Sequence, residues 1–498
     1  MIKQEPSFSI SLIQEKISRD FGFKISYRKA WKAKQKAIVK IFGDWDESYA
    51  ILPRWLDYMQ SLAQGSMYEI ETKDFEVGNQ VDNRFQVFHR LFWTFKQCCD
   101  AFKYCKPIIQ VDGTFLYGKY RGTLLIATTQ DGNCCVLPIA FAIVEGETLE
   151  AWTWFLANIR QHVTQKQGIC FISNQHQSIE SVVANEHLGW QPPHAYHVYC
   201  IRHIANNFDN KFKNVKLKND LFKLGYMTSK IYFDRNLEKF RQTSPEIASW
   251  IDTISKEKWS IAYDEEGRRY GHMTTNLPET VNKILKGARN LPITALVKCT
   301  YSRLVEYFVQ KGSQARAELS AGNRFCKKLL DAIQKNQEEA CSFKVRTHDV
   351  ILNMFEVEEI INPAMQMGSR LVSVDLCKRT CQCGKFTAYR FPCSHVIAAC
   401  AHADIDFYQY VDPIYSIQNI VDTYSAQWSP IGNEESIPPA SGPRLVPNVE
   451  TVRAKGRPKS TRIRNEMDLV ESHPRHNKCG YCKQVGHSRR TCPSHPDH

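Results

Sequence analysis

The sequence predicts an α/β protein: a mixed sheet with helices packed on it, helical segments on either side, and two small cysteine-rich units towards the C-terminus. Three observations carry this. Residues 107–200 alternate short β-rich runs with helical spacing in the order β-β-β-α-β-α-β. The flanking stretches repeat apolar residues at three- and four-residue steps. Six of the 18 cysteines fall in two metal-type spacings near the C-terminus.

Taken in order, residues 1–100 are expected to be a mostly helical N-terminal region, on the pattern of SYRKAWKAKQKAIVKIFG (26–43) and ESYAILPRWLDYMQSLAQG (47–65). The core is expected over 105–300. PIIQVDGTF (107–115), TLLIATTQDG (123–132) and CCVLPIAFAIV (134–144) read as three strands in a meander, with a DGN turn before the third. ETLEAWTWFLANIRQHV (147–163) returns to helical spacing, GICFISN (168–174) is a buried strand, SIESVVANEHLG (178–189) a helix and AYHVYC (195–200) a strand. A charge-rich helical insertion follows over about 204–270. MTTNLPETVNKILKGARN (273–290) reads as a helix that Thr275 or Asn276 can cap, with Pro278 in its first turn. A helical connection is expected over 301–350 and a Cys-rich β/α unit over 351–410. The proline-rich stretch 429–450 reads as a linker and not as a core element.

Apolar residues make up 43% of the 498 and charged residues 23%, enough apolar material for a large core and against global disorder. The longest apolar run, Cys134 to Val144, contains Pro138 and is far shorter than the ~20 residues of a membrane-spanning helix. The opening MIKQEPSFSI lacks the apolar stretch of a secretory signal, so metal sites or buried thiols are expected instead of disulfides. The net charge is +13, and +7 of it lies in 451–498, a basic tail that points to a polyanion partner, with a merely solubilising tail as the equal alternative on charge alone.

Cys381, Cys383, Cys393 and His395 form a CxC-x9-CxH set: three thiolates and one imidazole, a full tetrahedral complement for structural Zn2+. Cys479, Cys482, His487 and Cys492 have zinc-knuckle spacing, with Gly480 and Gly486 for the tight turns. Such knuckles contact single-stranded nucleic acid, with Tyr481 as a stacking face and Arg489 and Arg490 as phosphate contacts. Between linker and knuckle, 451–470 carries Lys455, Arg457, Lys459, Arg462 and Arg464 around Gly456-Arg457-Pro458, an AT-hook-like segment suited to an A·T-rich minor groove.

Asp112 ends the first core strand, the fourth strand ends at Asn174, and Glu279 opens the helix after the insertion. In an RNase H-like fold these three points converge, and carboxylates there hold Mg2+ or Mn2+ for phosphodiester transfer. The chain resembles the transposases of plant Mutator-like elements (MULE). The resemblance runs through FGFKISYRKAWKAKQKAIVKIFGDWDESY (21–49), VDGTF, LPIAFAIVEGETLEAWTWFL (137–156), YCIRHIANNF (199–208) and TTNLPETVNKILKGARNLPITAL (274–296), then a SWIM-type CxC…CxH zinc finger and a CCHC knuckle. It implies an RNase H-like core with Asp112 and Glu279 as catalytic acids and Cys200 and His203 as the family's CxxH signature. The family's second acid is here Asn174, a neutral and weaker ligand for a hard dication, so cleavage is expected to be impaired. The implied cofactors are two structural Zn2+ ions and catalytic Mg2+ or Mn2+. The implied partner is DNA, as terminal inverted repeats or A·T-rich duplex, in the nucleus and without a membrane. Single-stranded nucleic acid or RNA is an alternative ligand for the knuckle, and a homodimer an alternative assembly. A non-enzymatic DNA-binding transcriptional regulator and an RNA-binding protein are the competing functional readings.

Overall fold

Ser9 and Ser26 each accept a hydrogen bond from an amide three residues on and so open α1 (Ile10–Phe21) and α2 (Tyr27–Phe42). In α3 (Glu47–Leu62), Leu52, Trp55, Leu56 and Met59 recur at helical steps and are buried. The computed structural model describes residues 8–78, 80–275, 284–349, 351, 353–359, 370–432, 437–439 and 442–453. Residues 1–453 form one unit and 454–498 another, and the second lies outside the described residues.

The main sheet runs in the order β1-β2-β5-β4-β3-β6-β7. Its members are β1 (Met67–Val77), β2 (Gln80–Thr94), β3 (Ile108–Phe115), β4 (Thr123–Gln130), β5 (Val136–Val144), β6 (Ile169–Ser173) and β7 (Ala195–Tyr199). A short α4 (Lys96–Phe102) follows β2. The strands from β1 to β3 pair antiparallel, and β3, β6 and β7 pair in parallel. This is the mixed sheet expected from the alternation of strands and helices. β4 and β5 are buried along their whole length, which is why both read as continuous apolar runs. The parallel crossovers are made by α5 (Leu149–Asn158) and α6 (Gln177–Ala184).

α7 (Ile201–Phe212), α8 (Val215–Gly225), α9 (Lys230–Arg241), α10 (Pro245–Asp252) and α11 (Lys256–Trp259) make a helical subdomain. It has its own apolar cluster, including Ile204, Phe208, Leu221, Leu237, Ile251 and Trp259. The long α12 (Ile293–Ser320) returns to the sheet, where Thr300 accepts from the Trp93 indole at 3.2 Å and the Tyr307 hydroxyl donates to the Val136 carbonyl at 3.0 Å. After α13 (Lys327–Ala340), a second, antiparallel sheet has the order β11-β10-β9-β8. Its strands are β8 (Phe343–Asp349), β9 (Met354–Glu359), β10 (Arg370–Asp375) and β11 (Thr380–Cys381), packed with α14 (Lys385–Tyr389) and α15 (Ser394–His402). α16 (Ile417–Thr423) and β12 (Arg444–Val446) complete the unit.

Three expectations need correction. Residues 67–94, expected within a helical region, form the β1–β2 hairpin. Val87, His89, Leu91 and Trp93 alternate with period two, and the far half of β2 covers the edge that β5 would otherwise expose. The helical connection ends at Ala340, and Phe343–Asp349 is already a strand. The stretch 429–450 is not a free linker. Ile437 and Leu445 are buried, Tyr58 donates to the Ile431 carbonyl at 3.0 Å, and β12 pairs in parallel with Phe85–Val87 of β2. β2 runs past the end of β5, and the edge left open takes the returning chain.

Candidate functional site

Asp112, expected to end its strand, lies inside β3, which runs on to Phe115 paired with β4. It stands beyond the last pair with β6, and near the ends of β6 and β7 the chain gathers its titratable groups. β3 pairs with β6 as far as Gln110 opposite Ile172; Asp112 lies two residues further along β3, and Asn174 two residues further along the chain of β6, just past its end. The Cys200 amide donates to the Ser173 carbonyl at 2.8 Å and ties the end of β7 to the end of β6. The Ile201 amide donates to the Met273 carbonyl at 2.9 Å and brings 273–275 to the same place. The Asp112 carboxylate is thereby held at both oxygens. Oδ1 accepts from the Gly113 amide at 2.8 Å and Oδ2 from the Thr275 hydroxyl at 2.7 Å. His203 Nε2 lies 3.9 Å from Oδ2, and the Thr275 hydroxyl lies 3.9 Å from the Cys200 sulfur.

Asp112, Cys200 and His203 therefore come together, and Asn174 sits on the adjacent strand end. Its Oδ1 is buried without a hydrogen-bond partner among the described residues. Glu279 lies outside the described residues, as do residues 276–283 of the helix read over 273–290. The described residues 284–290 form turns ending in a 3-10 turn at Ala288–Asn290 and do not continue a helix. The three-residue steps of His194, His197, Cys200 and His203 do not make one cluster. His197 lies in β7 and bonds the Ser173 hydroxyl at 2.8 Å, whereas His203 lies in α7.

Glu147 was missed by the sequence reading. It precedes α5, and a Cβ on Gly113 would come within 2.6 Å of its Oε1, so the glycine makes room for the carboxylate. Burial first, then the Asp112 charge, push the Glu147 carboxyl up. Burial disfavours charge on His203, but the Asp112 carboxylate and then the Cys200 sulfur reverse this and raise it to about 9. Burial also works against a Cys200 thiolate, and the His203 hydrogen bond outweighs it and pulls the thiol down. The arrangement is a carboxylate fixed at both oxygens, a second carboxylate nearby, an orphan amide oxygen and an imidazole that balances charge. Thr275 was read only as a helix cap. Its bond to Asp112, across 163 residues of sequence, has no local signature.

The second site is a metal-type cluster. The ligand atoms of Cys381, Cys383, Cys393 and His395 all lie within 4.8 Å of one another, and all four residues are buried. Cys381 and Cys383 flank the turn after β11, while Cys393 and Ser394-His395 open α15. His395 Nδ1 is 3.9 Å from the Cys393 sulfur, and its Nε2 lies 2.8 Å from Glu359 Oε1. The carboxylate orients the imidazole and leaves Nδ1 to face the thiols, the pattern of a supported zinc ligand. Neighbouring thiols and His395 hold the Cys383 thiol well below its usual range. Three sulfurs and one nitrogen fit tetrahedral Zn2+ with no open position.

Family models match two segments: the MULE transposase domain at residues 108–207 and the SWIM zinc finger at residues 367–404. The chain thus carries a MULE transposase domain followed by a SWIM zinc finger. That combination is consistent with the Mutator-like transposases. No curated protein matches the chain. The MULE match contains Asp112, Glu147, Asn174, Cys200 and His203 and ends before Thr275. The SWIM match contains all four ligands of the buried cluster. Among the described residues no helix is long and apolar enough to cross a membrane. The knuckle set (Cys479, Cys482, His487, Cys492, with Tyr481, Arg489 and Arg490) and the basic set (Lys455, Arg457, Lys459, Arg462, Arg464) lie outside the described residues.

Proposed function

We propose that this chain is a nuclear, DNA-binding relative of the Mutator-like transposases with an RNase H-like core whose strand-cleaving chemistry is attenuated. The single observation that carries the reading is Asn174, a neutral amide, as the first residue past the end of β6, the strand that pairs in parallel with the strand of Asp112. The strand order β5-β4-β3-β6-β7, three antiparallel strands followed by two parallel ones, supports the RNase H-like assignment. The donor set of Asp112, Glu147 and the orphan Asn174 oxygen is rich in oxygen and suits a hard dication. Asp112 and Glu147 would hold Mg2+ or Mn2+, with Glu279 as the family's remaining acid. When bound, such an ion polarises a phosphodiester and activates the attacking hydroxyl or water. Thr275 and the Gly113 amide keep Asp112 in one rotamer, and His203 supplies positive charge at the pocket wall. The amide at position 174 brings one negative charge fewer than a carboxylate would, and that weakens the hold on metal.

The knuckle is expected to take a second structural Zn2+, and the basic segment before it to contact duplex phosphates. A second reading, a DNA-binding regulator without enzymatic activity, is favoured by the same Asn174. The two separate in a paired assay of the full chain and its Asn174→Asp form. Mn2+ binding is followed by electron paramagnetic resonance, and nicking by gel on terminal-inverted-repeat and unrelated duplexes. The Asp form is expected to bind Mn2+ at least tenfold more tightly and to nick faster, and Asp112→Ala to abolish both. Equal nicking by the natural chain and the Asp form would overturn the attenuation. Mn2+ binding without nicking in either form would favour the regulator.

A further inference from the structure

Helix α2 has the sequence YRKAWKAKQKAIVKIF, with six basic residues and no acidic one. Lys34 is turned inward: its ammonium donates to the Phe8 carbonyl at 2.7 Å, and burial pushes it below the usual lysine range. The other five cations are exposed. Arg28, Lys32, Lys36 and Lys40 stand four residues apart, a single ridge along the helix. None of the four has an ion-pair or hydrogen-bond partner among the described residues. Tyr27 and Trp31, 64% and 47% exposed, point about 100° around the helix from the first two. The opposite face is used up by packing: Ala30 and Ile38 are fully buried, and α1 lies against α2.

Like charges at four-residue spacing repel and weaken a helix. A merely solvated face interleaves acids and bases and so gains from the same spacing. Three successive like-charge steps without an acid describe a surface shaped for an outside polyanion. Twelve residues of helix cover about 18 Å, over which a B-form duplex carries about ten phosphate charges. A helix of about 10–12 Å diameter also matches a major groove about 12 Å wide.

We infer that the Arg28-Lys32-Lys36-Lys40 ridge of α2 is a docking surface for double-stranded DNA, separate from the basic tail. The rigid, regular row selects a duplex over a flexible single strand. The inference stands apart from the cleavage question, because it requires no metal and no acidic residue.

The test is fluorescence anisotropy of the full chain on a random-sequence 30-base-pair duplex between 50 and 300 mM salt, without divalent metal. The variant is Arg28→Gln, Lys32→Gln, Lys36→Gln and Lys40→Gln together. Each lost phosphate contact is expected to reduce the slope of log K against log salt by about 0.9, so by about 3–4 in all, with affinity at 100 mM salt down at least tenfold. Circular dichroism should show helix content kept, and a second variant with Lys32→Arg, Lys36→Arg and Lys40→Arg should keep wild-type binding. An unchanged slope and affinity in a folded glutamine variant would overturn the inference. So would a loss confined to a single-stranded 30-mer, or to vesicles containing anionic phosphatidylserine. Because this binding is read without divalent metal, whereas the transposase reading is tested by Mn2+ binding and nicking, failure here is distinguishable from failure of the transposase reading.

Discussion

At the scale of single residues, environment decides what a side chain does. Asp112 lies within β3 and Asn174 just past the end of β6, and one is locked by two hydrogen bonds while the other keeps an orphan oxygen. The same logic governs the buried histidines. Burial first, then Lys258, lowers His197 to about 3, and burial with Lys106 does the same to His272. Both are neutral in the folded chain, whereas in the unfolded chain they take up a proton near pH 6.5. Their contribution to stability is therefore whole above about pH 6.5 and is lost as the pH falls towards 3, by up to about 1.4 kcal/mol per unit for each group. Urea midpoints are expected to fall between pH 7 and pH 5, and less steeply in the His197→Gln, His272→Gln double variant. Parallel pH profiles would show that other groups carry the acid sensitivity.

Among the elements, the zinc finger is bound to the helical subdomain closely enough that the two share a fate. A Cβ on Gly384 would fall 2.0 Å from the Thr228 carbonyl oxygen, and one on Gly267 would fall 1.9 Å from that of Thr387. The Thr228 hydroxyl donates to the Cys383 carbonyl at 2.8 Å, and the Arg390 guanidinium donates to the carbonyls of Glu266 and Gly267. Removal of zinc by a chelator should therefore release amide protection in α14 and α15 and also around 228 and 266–271. Glu359→Gln, which weakens the orientation of His395, should lower zinc affinity about 10–100-fold in a competition titration. Protection unchanged at 228 and 266–271 after zinc loss would show that the finger unfolds alone. The β1–β2 hairpin and β12 make the converse point. Their strand pairing depends on an edge offered by a distant segment, so helical or linker composition read locally pointed elsewhere.

For the molecule as a whole, charge and fold are partitioned. The last described residues are anchored: the Arg453 amide donates to the Lys119 carbonyl at 2.9 Å, and its guanidinium donates to the Leu116 carbonyl at 2.6 Å. Residues 454–498 begin just beyond this anchor and contain the AT-hook-like segment and the knuckle. A chain ending at Arg453 is expected to bind duplex DNA with a flatter salt dependence than the full chain, and to keep the part that α2 contributes. An unchanged slope on truncation would show that the tail is not a phosphate-contacting surface.

The sequence alone determined the features whose chemistry is local. The Cys381-x-Cys383…Cys393-x-His395 set declares its metal by ligand type and spacing. The strand pattern of 107–200 declares a mixed sheet, since period and turn residues act over a few positions. Asp112 was legible as an acid of the first core strand, although that strand runs on to Phe115. Tertiary structure alone decided what surrounds them. Glu147 lies against β3 next to Asp112 because Gly113 has no side chain to block it, and Thr275 bonds Asp112 because the chain returns after a helical subdomain. The hairpin became sheet and the proline-rich stretch became an edge strand because unpaired backbone groups on β2 and β5 had to be satisfied. Such partners are chosen by proximity in space, and no periodicity of a single segment encodes them.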